Sequence, residues 1–184
     1  MNLGLQMIEY LISYFTRIPI IWYLVIIAFT LLIAFMLKKL QIYKHLSQMQ
    51  VFGVVALTMY LLFILVATVF SRQPQVNYQI KIQLFSSYAE AIITGDCILR
   101  WEIYFNIVML FAYGTILPII SKKIDAKVTI VTGCLISIII ELLQLILKRG
   151  TFETDDIVHN TLGVAIGYVL YKILKICRKK CSRN

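Results

Sequence analysis

Between Glu141 and Asn160 the chain reads ELLQLILKRGTFETDDIVHN. Glu141 and Gln144 lie three apart, Arg149 follows, and Asp155, Asp156, His159 and Asn160 close the stretch. Carboxylates can move a proton or hold a cation. An arginine fork suits a phosphate or carboxylate, and amides hydrogen-bond a polar head group. Upstream, Glu102 and Asn106 are four apart and share a helical face. The sequence flanking these groups is apolar.

The elements that must position them are membrane spans. Apolar residues make up 60% of the 184, against ~45–50% in a soluble domain. Runs of ~20 apolar residues, the length that crosses a bilayer, occur at 18–37, 51–70, 101–120, 128–147 and 157–176. The expected fold is therefore an all-α bundle of five transmembrane helices, a single domain over 18–184. Residues 1–17 are too short to span and are expected to form an interfacial helix with Gln6 and Glu9 outward. No basic n-region or A-x-A site appears there, so no cleaved signal peptide is expected.

The net charge of +9 does not indicate nucleic acid, because the basic residues sit at the ends of apolar runs. With five spans, segments 38–50, 121–127 and 172–184 share one side and carry twelve of the 18 lysines and arginines. The positive-inside rule then makes the C-terminus cytoplasmic and the N-terminus external. The segment 71–100 falls outside, lying on the membrane or dipping back into it. Cys97, Cys134, Cys177 and Cys181 have no zinc or redox spacing and read as ordinary thiols.

This topology collects the polar groups. Glu102, Asn106, Glu141, Gln144, Arg149, Asp155, Asp156 and Asn160 all fall in the outer halves of three spans or in the loop between two of them. Glu141 lies ~9 Å inside its span at 1.5 Å per residue, where a carboxylate costs a few kcal/mol, ~2.5–3.5 at a helix centre. Amides alone would serve as interhelical glue; the ionisable groups favour a pocket. Asp155 and Asp156 can equally cap the fifth span. His159 would complete a metal site with them, but an interfacial polar role is the better expectation, and no metal or other cofactor is expected. Gly163 and Gly167 form a GxxxG stripe for close packing, with Gly133 and Ser137 as facing small residues. Gly114 and Pro118 suggest a bend in the third span.

Several of these residues fall in a known pattern. Glu141-x-x-Gln144, Arg149, Phe152–Asp156, Asn160-Thr161-Leu162-Gly163 and Gly167-Tyr168, with Ser71-Arg72, Asn106–Phe111, Gly114 and Leu117-Pro118 upstream, resemble the VanZ-like family over about residues 50–176. Ala112 and His159 depart from it. The resemblance implies a bacterial plasma-membrane protein linked to low-level resistance to the glycopeptide teicoplanin. It supplies a label and an architecture more than a mechanism.

Three functions are compatible with these residues. The first is a binding module whose pocket of Asn106, Glu141, Gln144, Arg149, Asp155, Asp156 and Asn160 holds an outer-leaflet amphiphile, either a lipid-linked cell-wall precursor or the lipid-bearing antibiotic. Arg149 would meet its anion. The second is an intramembrane enzyme on such a precursor, with Glu141 as acid or base and Asp155 and Asp156 on a divalent cation; the lack of any hydrolase or transferase motif counts against it. The third is a transport subunit, possible as a homo-oligomer through the GxxxG face. Binding is the preferred reading, with membrane lipids as partners and no nucleic acid.

Overall fold

The computed structural model describes residues 8, 12, 16, 18–39, 46–95, 97–121 and 123–181. Apart from residues 8, 12 and 16, the expected interfacial segment 1–17 lies outside them. In order, the elements are α1 (Ile20–Lys39), α2 (Gln48–Leu65) with a wider π-helical turn over Val66–Phe70, β1 (Gln79–Lys81), α3 (Ser86–Thr94), α4 (Cys97–Met109), α5 (Phe111–Ile120), α6 (Ala126–Ile146), β2 (Thr151–Glu153) and α7 (Thr154–Cys181). The protein is nearly all-α, and five helices are long and apolar enough to cross a membrane, α4 and α5 together making the third.

Helix ends are set locally. Ser47 starts α2 with a capping box: its hydroxyl accepts the Gln50 N–H and the Gln50 side chain accepts the Ser47 N–H. Asp125 caps α6 by accepting the Val128 N–H at 2.9 Å. The other end of α6 is a Schellman motif. The Arg149 N–H returns to the Gln144 carbonyl (2.8 Å) and the Lys148 N–H to that of Leu145 (3.0 Å). Lys148 itself takes the left-handed position, with φ 54°. The basic last turn of α7, Arg178 to Lys180, suits the negative end of its helix dipole.

Helices in lipid gain little from apolar burial against one another, so close packing must hold them. α7 is the centre of that packing, lying against α4, α5 and α6. Gly163 and Gly167 abut the Ile107 and Phe111 carbonyls, and Gly114 abuts the Val164 carbonyl in return. A methyl group at any of the three would overlap backbone. The GxxxG stripe therefore faces the third span. Of the residues expected to meet it, Gly133 instead receives the Val164 side chain, and Ser137 faces Asn160. Because the stripe is internal, it offers no face for a homodimer. Around it Leu57, Ile64, Val69, Leu110, Tyr113, Ile140 and Val164 form the main core. α1 packs mainly on α2 and leaves most of its surface to lipid.

The third span breaks at Leu110, not at Gly114 or Pro118. Leu110 has φ −107° and ψ 8°, and α5 restarts after it. The Tyr60 hydroxyl donates to the Met109 carbonyl at 2.5 Å, satisfying an acceptor freed at the end of α4. Gly114 is required for contact with α7, and Pro118 is carried within α5.

Alanine at Gly163 or Gly167 is expected to destabilise the protein by about 1–3 kcal/mol or more, as overpacking does. Gly53→Ala should cost less, because it meets the Ile120 and Ile116 side chains and no backbone. Unfolding in mixed micelles, followed by circular dichroism, checks the order.

Candidate functional site

The polar residues do converge at one end of the bundle, where α2 ends, α6 ends and α7 begins. Much of their bonding capacity is directed at backbone. The last carbonyls of a helix have no intrahelical donors. For α2 the donors come from α6 and the turn after it. Gln144 Nε2 donates to the Thr68 carbonyl at 3.4 Å. Arg149 Nη1 donates to the carbonyls of Phe70 and Arg72, both at 2.7 Å. Arg149, expected to meet a ligand anion, is committed to this clamp.

Asp155 is likewise committed. The segment after α2 returns along the α6–α7 turn as β1, which pairs in parallel with β2 through Gln79–Thr151, Ile80–Phe152 and Lys81–Glu153. This places the start of α3 over the first turn of α7. The Asp155 carboxylate accepts the Phe85 N–H at 2.6 Å and the Ser87 N–H at 2.9 Å. It thus caps α3 across the fold, where α3 has no side-chain cap of its own, instead of capping α7. His159, one turn on, meets the Tyr88 hydroxyl through Nε2 at 2.8 Å, with the rings edge to face. Both contacts pin α3 down. Lys81 ties β1 to α3 and β2 through Glu90 (3.1 Å) and Glu153 (3.8 Å). The Glu90 hydrogen bond raises the Lys81 ammonium above its ordinary value. Burial raises the Glu153 carboxyl, with the Lys81 charge opposing.

The remaining groups form the candidate site. Glu141 is 1% exposed, and its carboxylate accepts the Glu153 N–H at 3.1 Å. Asp156, hydrogen-bonded by Asn106, and Arg72 both lie within electrostatic reach of Glu141. Gly150 makes this approach possible: a Cβ there would stand 2.9 Å from an Arg72 terminal nitrogen and 2.7 Å from Gln144 Oε1. A turn deeper, Asn160 donates to the Ser137 hydroxyl at 2.9 Å while its Oδ1, fully buried, has no partner. His159 Nδ1 is also buried without one.

Of the seven expected pocket residues, Asn106, Glu141, Gln144, Asp156 and Asn160 thus line one seam between α4, α6 and α7, whereas Arg149 and Asp155 serve backbone. Among the described residues no group of three His, Cys, Asp or Glu side chains is arranged to hold a metal ion. The Asp155 carboxylate, which the enzyme alternative would place on a divalent cation with Asp156, accepts two backbone amides. Sequence reading missed Arg72 and Glu153 as members of the site. Arg72 was visible as an arginine directly after a span; Glu153 was one acidic residue in a polar loop, and only the β1–β2 pairing turns its N–H toward Glu141.

Arg149→Ala should leave the Phe70 and Arg72 carbonyls unpartnered and cost about 1.5–3 kcal/mol, with Arg149→Lys intermediate. Asp155→Ala should speed hydrogen exchange at the Phe85 and Ser87 amides by roughly 2- to 30-fold, the equivalent of a 0.5–2 kcal/mol cap. Thermal unfolding and exchange mass spectrometry read these effects.

A family model described as VanZ/LLP1 matches residues 20–175, beginning at the first span and not near residue 50. No curated protein and no solved structure gives a significant match. With a match over most of its length and five apolar helices carrying the Glu141–Gln144, Asp156–Asn160 and Gly163–Gly167 pattern, the chain belongs to the VanZ/LLP1 family.

Proposed function

We propose that this multi-pass membrane protein sits in the bacterial cell membrane and binds the polar head of an amphiphile at the Arg72–Glu141 seam. The family supports an association with glycopeptide resistance. The candidate ligands are a lipid-linked cell-wall precursor and the lipid-bearing glycopeptide itself. One observation carries the reading. A carboxylate is buried in a span, and beside it the Arg72 guanidinium has no hydrogen bond or ion pair among the described residues. Structural glue would need neither. The Arg72 fork takes over the anion-meeting role first given to Arg149, and Glu141, Asp156 and Asn106 present charge and hydrogen bonds to the rest of the head. With Lys and Arg concentrated at the opposite end of the bundle, the positive-inside rule directs this site to the outer face and the C-terminus to the cytoplasm.

Native mass spectrometry of the solubilised protein, wild type beside Arg72→Ala and Glu141→Gln, tests this directly. A bound amphiphile is expected on the wild type and absent from both variants, which should stay monodisperse. In cells, both variants should lower teicoplanin resistance while reaching the membrane at normal levels. Full resistance in both would sink the proposal. For orientation, alkaline phosphatase fused after Cys181 should be inactive, as it is when held in the cytoplasm.

A further inference from the structure

The segment from the end of α2 to the start of α4 presents an apolar surface that nothing in the described chain covers. Tyr78, Ile80 and Ile82 alternate with Gln79 and Lys81, so they share one face of β1 and its exit. Ile82 is 71% exposed, and Phe85, in a left-handed backbone conformation with φ 63°, is 64% exposed. Ile92 and Ile93, at the far end of α3, are 80% and 83% exposed. α3 is amphipathic, with Ser87 and Ala91 on its buried side. The plate is firmly attached beneath by the β1–β2 pairing, the Asp155 cap and the His159–Tyr88 contact.

We infer that this β1–α3 plate lies in the headgroup zone of the bilayer, with its apolar side chains in the acyl boundary and its backbone in the hydrated layer. The occupant follows from continuity. Past Ile93 the chain passes directly into α4, the start of a membrane-spanning helix on which Ile98, Tyr104 and Val108 are likewise exposed. The depth follows from the backbone. Among the described residues β1 and β2 form a sheet of two strands, so each keeps an edge without a strand partner. Irregular or open-edged backbone exposed to lipid is not tolerated in the hydrocarbon, where no water can satisfy it. The plate therefore lies flat and does not re-enter the bilayer. Its polar fittings suit that level: Lys148 lies over the Tyr78 ring at 4.6 Å and donates to the Val76 carbonyl, a cation at phosphate height beside an aromatic that favours the interface.

The plate is tethered directly to the Arg72–Glu141 seam through β2 and Asp155. Resting on the proposed binding function, its placement has the seam receive a ligand sideways from the lipid leaflet, which selects molecules already resident in the membrane over water-soluble ones.

The test is spin-label depth measurement in liposomes of mixed phosphatidylglycerol and phosphatidylethanolamine. Labels go on single cysteines at Ile82 and Ile93, in a background with the four native cysteines changed to serine. Both sites are exposed, so the label has room. Leu135 on α6 supplies a lipid-facing reference and Lys179 an aqueous one. Labels at Ile82 and Ile93 are expected to be relaxed more by oxygen than by a water-soluble nickel chelate, at a depth between the two references. Nickel access equal to that at Lys179 would overturn the proposal and make the plate a docking face for a protein. A depth equal to that at Leu135 would overturn it in favour of re-entry. The measurement needs no bound ligand, so loss of amphiphile binding in mass spectrometry with the depths intact would defeat the binding function alone.

Discussion

A backbone N–H or carbonyl in hydrocarbon has no water to turn to, and that constraint organises this molecule. Some helix ends are capped locally, and several others, with the break in the third span, take a partner from far along the chain. Gln50 Nε2 donates to the Ile120 carbonyl at the end of α5 (2.6 Å), and Tyr60 serves the end of α4. Gln144 and Arg149 serve the end of α2, and Asp155 serves the start of α3. These are long-range bonds, spanning 49 to 79 residues of sequence, so they join the helices as well as completing them. The polar residues of this greasy chain are in large part the fittings that let helices stop.

Close packing is the second requirement, and the two cooperate. Glycines on α7 and α5 bring backbones together where lipid supplies little inward drive. The contact fixes the height of α7 against α4 and α6. It thereby sets Asp156 beside Asn106 and Asn160 beside Ser137. The Schellman turn after α6 then directs Arg149 back to α2 and leaves Gly150 under Arg72 and Gln144.

Against this background the surplus identifies the site. Once the backbone is satisfied, what is left at this end of the bundle is a buried carboxylate, an arginine with no hydrogen bond or ion pair among the described residues, and buried polar atoms of Asn160 and His159 without partners. These groups are more than stability asks for. A plate of exposed apolar residues lies immediately beside them, and the proposed amphiphile would meet the polar surplus with its head and the apolar surplus with its chains.

The sequence by itself determined the architecture. Length, hydropathy and charge placement are one-dimensional properties, and a bilayer reads them nearly one-dimensionally, so five spans, the apolar class and the polar end of the bundle were all legible. The family pattern was legible for the same reason: its residues sit close together from Glu141 to Gly167. Roles were not. Arg149 and Asp155 are of the right types for a ligand or a cation, and no spacing rule distinguishes that use from capping a helix some 70 residues away in sequence. Arg72 enters the site only because the end of α2 is held against the turn after α6, and Glu153 because β2 runs alongside β1 there. The facing partner of the GxxxG stripe and the break at Leu110 likewise depend on which helix lies alongside. Tertiary structure decided these matters, because a polar side chain's role in a membrane depends on which backbone groups are left unsatisfied nearby, and that is known only when the helices are in place.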